Sequence, residues 1–471
     1  MLQYHIQDYE KETIVSDLDI VILAAGVGKR MRSSLPKVLH KLAGKPLLKH
    51  AIDTAQTLSP RKIYIVYGHG GEQVLTEIND DQLTWVKQEP QLGTGHALLQ
   101  VLPFLAKSGK TLVLLGDVPL IQENSLTQLV ASASANNFAL LTVTLANPFG
   151  YGRIIREDGT NQVSAIVEEK DANEIQRSIN EINTGIMVLP NAYLHDYLPK
   201  LSNSNAQGEY YLTDIIKLAA SSGIKIETAQ PHYEWEVSGI NSKVQLAQLE
   251  RAAQNFQAQQ LLDAGVTLMD PSRIDIRGNL ICGNNVEIDV NCIFEGTVTL
   301  GDNIKINANC IIRDTIISSG TTVLPFSLID NAEIGKNCHI GPYARIRPGT
   351  RLDDNVHIGN FVEIKNSYIA RDSKANHLSY IGDATIGKKV NIGAGTITCN
   401  YDGAYKHQTI IEDNVFVGSD TQLVAPVKVA KGSTIGAGST ITRDTPEEQL
   451  TLSRAKQISV AGWKRPSKTK V

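Results

Sequence analysis

One feature limits the folds open to this chain more than any other: past Asp270 an apolar or β-branched residue returns at every sixth position. From Ile274 the series runs Leu280, Val286, Cys292, Val298, Ile304, Cys310, Ile316, Thr322, Leu328, Ile334, Ile340, Ile346, Leu352, Ile358 and Ile364, with Thr322 its one non-apolar member. Neither the helical period of about 3.6 nor the strand period of 2 produces this spacing. Hexads held in phase for so long fit the coils of a parallel β-helix, three hexads to a triangular turn. The aliphatic at each sixth position is expected to point inward and stack on its neighbours, while Gly and polar residues serve the corners, as in Ile334-Gly335, Ile358-Gly359 and Ile435-Gly436. The series slips after Ile364, resumes at Ile386 and Ile392, breaks at Thr398 to Gln408, and returns at Ile411, Val417, Leu423, Val429, Ile435 and Ile441. Interruptions in a solenoid are where function is added.

The first half has a different texture. From Asp19 to about Leu246, short apolar runs alternate with helix-like stretches: Ile20 to Ala25, Lys62 to Tyr67, Thr111 to Leu115 and Phe138 to Val143. That alternation predicts a mostly parallel sheet covered on both faces, with ligands beyond the carboxyl ends of the strands. Between the halves, Lys243 to Ala264 lacks Gly and Pro and repeats Leu246, Leu249, Ala253 and Phe256 at helical spacing, which predicts a linking helix.

At 471 residues the chain exceeds what one hydrophobic core serves, so two or more domains are expected. A net charge of −4 gives no ground for nucleic acid as a partner. The five cysteines (Cys282, Cys292, Cys310, Cys338, Cys399) form no CxxC pair, so reduced thiols are expected. Residues 1 to 17 lack a secretory pattern and no run of eighteen apolar residues occurs, so the expectation is a cytoplasmic protein with no membrane span.

The strand Ile20 to Ala25 runs into Gly26-Val27-Gly28-Lys29-Arg30-Met31, with Pro36-Lys37 soon after. Small residues admit phosphates to the backbone N–H groups, and Lys29, Arg30 and Lys37 supply charge. The spacing fits neither a dinucleotide fingerprint nor a P-loop. Leu23 to Met31 with Pro36-Lys37 resembles the signature of the sugar nucleotidyltransferases. Gln88 with Gln91 to His96, Gly116 to Pro119, Gly150 to Arg153, Glu168, Asn183 to Gly185 and Gly239 to Asn241 resemble its uridylyltransferase branch. The resemblance implies that Leu23, Ala24, Ala25, Gly26, Lys37, Gln88, Gly93 and Thr94 take UTP, that Gly152, Glu168 and Asn183 hold the sugar, and that Asp117 and Asn241 bind Mg²⁺. Arg30 and Lys37 would stabilise charge as the sugar phosphate attacks the α-phosphorus. Leu115 stands where the family is expected to carry Tyr.

The second half resembles the hexapeptide acyltransferases, and the whole from about Asp19 to Pro466 is similar to the bifunctional N-acetylglucosamine-1-phosphate uridylyltransferase and glucosamine-1-phosphate N-acetyltransferase family. Ile346 to Gly349, Gly359 to Lys365, Asn376 to Tyr380 and Gly393 to Gly403 carry the likeness. It implies that His377 is the general base, that Arg347, Lys365, Tyr380 and Asn391 bind glucosamine 1-phosphate, and that Ala394, Asn400, Tyr401, Lys406, Ser419, Ala437 and Arg454 bind acetyl-CoA. A homotrimer is implied, with the loop Thr398 to Gln408 reaching a neighbouring chain, as are products feeding peptidoglycan and lipopolysaccharide synthesis. Asn376 and Ser379 depart from the family's Gly and Thr.

The expected fold is therefore an α/β Rossmann-like nucleotidyltransferase followed by a left-handed parallel β-helix. Its expected parts are an extension 1–18, a nucleotidyltransferase 19–242, a linker helix 243–269, a β-helix acetyltransferase 270–445 and a basic tail 446–471 with Lys464, Arg465, Lys468 and Lys470. The alternative is a nucleotidyltransferase whose β-helix only assembles it, which leaves His377, Lys365 and the 398–408 loop unexplained.

Overall fold

The computed structural model describes residues 17–26, 28–68 and 70–467. Most of the expected N-terminal extension, Val27 of the Gly-rich loop, and Lys468 and Lys470 of the tail lie outside the described residues. The chain divides into two compact units, one ending at Ala253 and the other beginning at Gln254.

The first unit is built on a sheet whose main path runs Lys225–Ala229, Asn137–Thr144, Glu181–Pro190, Lys110–Leu115, Leu18–Leu23, Lys62–Tyr67 and Leu83–Lys87. All pairings along it are parallel except those of Glu181–Pro190, which is antiparallel to both neighbours. Successive residues of a strand face opposite sides. Ile20, Ile22, Leu112 and Leu114 accordingly enter one core, with Leu48, Ala51 and Ile52 of the helix Leu47–Thr57. Val21, Val113, Phe138 and Leu140 enter the other, with Ala97, Leu98 and Val101 of the helix Thr94–Val101. Burial on both faces makes the central strands apolar throughout, so they read as runs and not as alternation. The hairpin Arg153–Arg156/Val163–Val167 had no such run to announce it, and Glu181–Pro190 carries one only in its second half, Ile186 to Leu189, which the sequence reading did not pick out.

The helix Lys243–Asp263 forms as expected, but its first part is core and not merely linker: Leu249 and Ala253 pack with Met31, Leu42, Leu47 and Ile240.

In the second unit short parallel strands stack into an 11-stranded and a 17-stranded sheet, the faces of a left-handed parallel β-helix. The coils begin at Thr267–Leu268 and continue to Leu450–Thr451, outside both expected ends. A hexad sends two residues inward, two positions apart, the first often small and the second most often aliphatic: Cys310 and Ile312, Thr321 and Val323, Cys338 and Ile340, Ala344 and Ile346.

This corrects the expectation that one phase marks the interior from Ile274 to Ile364. Ile316 is 54% exposed, and Thr322 and Leu328 are only half-buried, while Ile317, Val323 and Ile329 point inward in their place. The cause is two five-residue steps, from Ile312 to Ile317 and from Ile329 to Ile334, which turn a ladder spacing of 18 into 17. Each short side turns on a left-handed residue, Asp314 or Asn331, a conformation Asn and Asp adopt at low cost. The series in sixes therefore starts on the small inward position and ends on the aliphatic one, crossing the surface between.

Candidate active sites

In the first unit the strands end and the chemistry begins. Leu18–Leu23 leads into Ala24-Ala25-Gly26, Lys110–Leu115 into Gly116-Asp117, and Leu83–Lys87 into Gln88. Leu23, Ala24, Ala25, Gly26, Lys37, Gln88, Gly93, Thr94 and Asp117 line one cavity of about 440 Å³. Arg30, Gly152, Glu168, Asn183 and Asn241 line a second of about 470 Å³, which shares Leu23, Thr94, Leu115 and Asp117 with the first. Every residue to which the resemblance gives a role in nucleotidyl transfer thus lies in one of two adjoining cavities; the side chain of Lys29 in the Gly-rich loop lies outside the described part of the structure.

At their junction Lys37 Nζ donates to Asp117 Oδ2 at 2.5 Å and to Asn241 Oδ1 at 3.0 Å. Lys37 opens a short helical turn, Lys37–Leu39, anchored by buried Val38 and Leu39. Gly28 has φ +64°, and a Cβ there would stand 2.7 Å from the Cβ of Lys37, so glycine lets the loop close over the lysine. Asn241 is held by its own backbone N–H donating to Gln245 Oε1 at 2.8 Å, and Asp117 by its carbonyl accepting from Ile240 N at 2.9 Å.

Gln88 is buried and donates Nε2 to Gly93 O at 3.0 Å, while Gln91 donates Nε2 to Ala25 O at 2.9 Å, so the two glutamines brace the loop around the first cavity. Gly93 has φ +107°, and a Cβ on it would meet Tyr210 O at 2.7 Å. Glu168 Oε1 accepts from Thr213 Oγ1 at 2.9 Å. Burial pushes its carboxyl above the ordinary range, with the Thr213 hydroxyl opposing and Asp214 and Asp171 adding to the rise. Sequence reasoning missed Thr213 and Gln245, which no motif announced. Leu115, the departure noted above, lines both cavities beside Gly185.

In the second unit His377 ends the strand Lys374–His377 and pairs in the ladder with Asn360 of the preceding coil. Its Nδ1 lies 2.8 Å from Asn360 Oδ1, and the ring is otherwise exposed. An amide oxygen accepts from an Nδ1–H, which leaves the Nε2 lone pair facing out. Asn360 stood inside the matched stretch Gly359 to Lys365 without a role; only the ladder register reveals one.

Beyond the corner, Arg347 Nη1 donates to Glu363 Oε1 at 2.8 Å, and Glu363 is the ladder partner of Tyr380. Lys365 Nζ lies 3.4 Å from Asp383 Oδ2, to which Asn400 Nδ2 also donates at 2.5 Å. Burial raises the Asp383 carboxyl, but donors from Asn366 and Asn400 and the Lys365 ammonium outweigh it and hold it below the usual range. Lys406, against Lys365, is pushed down by that neighbouring ammonium. Arg347, Lys365 and Lys406 thus form a cationic cluster anchored by Glu363 and Asp383, suited to a phosphate dianion.

The loop after Ile397–Cys399 carries Asn400, Tyr401 and Lys406; Tyr401 and Lys406 bridge across it, and His407 Nε2 contacts Asp402 Oδ2 at 2.7 Å. Ala394, Ser419, Ala437 and Arg454 climb one corner: Ala394 O accepts from Asp420 N at 2.7 Å, Ser419 O from Gly438 N at 2.8 Å, and Ala437 O from Arg454 Nη1 at 2.8 Å. Asn391 stands in a different ladder, between Lys374 and Phe416, and no side-chain contact joins it to the cationic cluster.

The MobA-like NTP transferase domain matches residues 20–182, the GMPPB C-terminal domain 276–352, and the bacterial transferase hexapeptide repeats 408–443. A bifunctional protein GlmU of Nitrosomonas eutropha is 66% identical over 454 residues, 96% of this chain and 99% of that protein. Those of Nitrosospira multiformis and Herminiimonas arsenicoxydans are 65% and 60% identical, over 96% of this chain and 99% and 100% of their own lengths. With identity of that order along almost its whole length, the chain belongs to the family of bifunctional GlmU proteins, a uridylyltransferase and an acetyltransferase on one polypeptide.

Proposed function

We propose that the two cavities of the first unit are the uridylyl site and that the His377 region with the cationic cluster is the acetyl site. Together they make UDP-N-acetylglucosamine from glucosamine 1-phosphate, acetyl-CoA and UTP. The observation that carries the first assignment is the convergence of Asp117, Asn241 and Lys37 at the junction of the cavities.

At the acetyl site, Arg347, Lys365 and Lys406 hold the sugar phosphate. His377 Nε2 removes a proton from the sugar ammonium, and the freed amine attacks the thioester carbonyl, forming the amide bond as the C–S bond breaks and CoA leaves. Ala394, Ser419, Ala437 and Arg454 line the path of the coenzyme, and Asn400, Tyr401 and Lys406 close it from the exposed loop. That loop stands out from its own coils with Tyr401 exposed, which supports its use by a neighbouring copy in a homotrimer. Asn391 completes this site only through the family likeness.

At the uridylyl site, Gln88, Gly93 and Thr94 face the uridine, and Gly152, Glu168 and Asn183 hold the acetylated sugar. The sugar phosphate oxygen attacks the α-phosphorus of UTP in line and pyrophosphate departs, with Arg30 and Lys37 stabilising the developing charge. Asp117 and Asn241 fit Mg²⁺, because a carboxylate and an amide oxygen already share one cation there, the Lys37 ammonium. Bound there, Mg²⁺ would neutralise charge on the phosphates.

No helix among the described residues is long and apolar enough to cross a membrane, and both cosubstrates are metabolites of the cytoplasm, where we place the protein. The test supplies glucosamine 1-phosphate, acetyl-CoA, UTP and Mg²⁺ and follows CoA and pyrophosphate separately. Pyrophosphate should require acetyl-CoA unless N-acetylglucosamine 1-phosphate is supplied; pyrophosphate from the acetylated sugar with no CoA release would reduce the β-helix to a scaffold.

A further inference from the structure

The lysine at the junction of the cavities touches the same two oxygens assigned to the metal. Its ammonium lies 2.5 Å from Asp117 Oδ2 and 3.0 Å from Asn241 Oδ1, with side-chain exposures of 10% for Lys37 and 20% for Asp117. A magnesium ion on these oxygens would sit at roughly 2.0–2.1 Å from each. An ammonium within hydrogen-bond reach of both oxygens and a divalent cation bonded to both occupy one wedge of space. Two like charges cannot share it.

We propose that Lys37 is the resident counter-cation of the metal donors, yielding its place to the metal when the phosphates of the nucleotide give its ammonium another anion to meet. The inference rests on the reading of Asp117 and Asn241 as metal donors and adds to it an exchange of cations.

Three features of the chain support the exchange. The backbone of Lys37 is fixed, since Val38 and Leu39 beside it are buried and Gly28 packs against its Cβ, so only the flexible four-carbon stem can move. The head does not have far to go: a Cβ placed on Gly26 would lie 3.8 Å from Lys37 Nζ, and Gly26 belongs to the phosphate-binding loop. The protein also offers few donors of its own, for no group of three or more His, Cys, Asp or Glu able to hold a metal occurs among the described residues. A metal on Asp117 and Asn241 therefore depends on phosphate oxygens and water for the rest of its shell, and the same phosphates draw the lysine away.

Metal and triphosphate binding are then positively coupled, and by reciprocity each strengthens the other by the same factor. The lysine is the element that makes the coupling large, because it taxes the metal when no nucleotide is present.

The test uses the full-length protein without nucleotide and reads binding of Mn²⁺ alone by the loss of its free-ion electron paramagnetic resonance signal, with no turnover involved. Lys37→Met and Lys37→Gln both remove the ammonium but pack differently, so a folding defect in one leaves the other, and melting curves identify it. Both should bind Mn²⁺ more tightly than the wild type by about tenfold, within the 5- to 150-fold usual for coupled sites. Asp117→Asn should weaken Mn²⁺ binding. If Asp117→Asn weakens it while both lysine variants match the wild type or bind worse, the metal assignment stands and the exchange is refuted. If Asp117→Asn changes nothing, the metal assignment falls and takes the exchange with it.

Discussion

Removing the amide of Asn360 should slow acetyl transfer without touching either substrate. Asn360 Oδ1 lies 2.8 Å from His377 Nδ1, and the ladder pairs the two residues directly, so the amide selects the ring tautomer and fixes its direction. His377 is exposed, so in Asn360→Ala water can take the Nδ1–H, and no penalty for a buried unpaired donor applies. What is lost is the positioning worth of one exposed hydrogen bond, about 1 kcal/mol within a range of roughly 0.5–1.5. At 1.36 kcal/mol per tenfold this is about a fivefold fall in kcat. The KM for acetyl-CoA and for glucosamine 1-phosphate should stay within about twofold, since Asn360 touches neither the cationic cluster nor the coenzyme corner. Asn360→Asp keeps an acceptor at the same place and should recover most of the rate. Steady-state release of CoA, measured against each substrate in turn, gives these numbers. A wild-type kcat in Asn360→Ala, or a loss expressed only in KM, would refute the positioning of His377 by this contact.

Three further outcomes follow from the same geometry. His377→Ala should abolish CoA release and leave pyrophosphate release from N-acetylglucosamine 1-phosphate nearly intact, and Asp117→Ala should do the reverse; equal loss of both activities in either variant would contradict the separation of the sites. Ile346→Ala, with a side chain 0% exposed, should destabilise the β-helix by about 2–5 kcal/mol, whereas Ile316→Ala, 54% exposed though on the same series of sixes, should cost well under 1 kcal/mol by denaturant melts. Because the Asp383 carboxyl is held below its unfolded value of about 3.9, its stabilising contribution is complete above that pH and is lost as pH falls through the folded value; Asp383→Asn should flatten this acid limb of the melting temperature.

Part of the proposed uridylyl site was readable because its residues follow strands. Ala24 to Gly26 and Asp117 come at the end of apolar runs that the eye can find, and the rule that ligands gather at strand ends places them together. Gln88 follows Leu83–Lys87, where Thr84 and Lys87 interrupt the apolar residues, and was legible only by family likeness. Asn183 and Glu168 were legible only by family likeness. They sit on or after strands whose register depends on the antiparallel insertion of Glu181–Pro190, which no local pattern encodes. Thr213 was not legible, because it acts on Glu168, 45 residues back along the chain, and such a partner has no spacing to recognise. Gln245 stands only four residues from Asn241, but no motif gives that contact a signature.

The β-helix teaches the opposite lesson, since there the pattern was strong and still misplaced side chains. A hexad has two inward positions two residues apart, and both accept apolar or small residues, so a series in sixes can drift from one to the other without losing its apolar character. Two sides one residue short, turned by Asp314 and Asn331, are enough to carry it across. Two more short sides, turned by Asn366 and Asp383, lie between Ile364 and Ile386, where the series visibly breaks. Asn366 donates to Asp383 at 2.6 Å, and Asp383 receives Lys365 and Asn400. The residues that shorten the coil therefore also gather the cationic cluster, which is a physical reason for the proposed acetyl site to lie where the repeat fails.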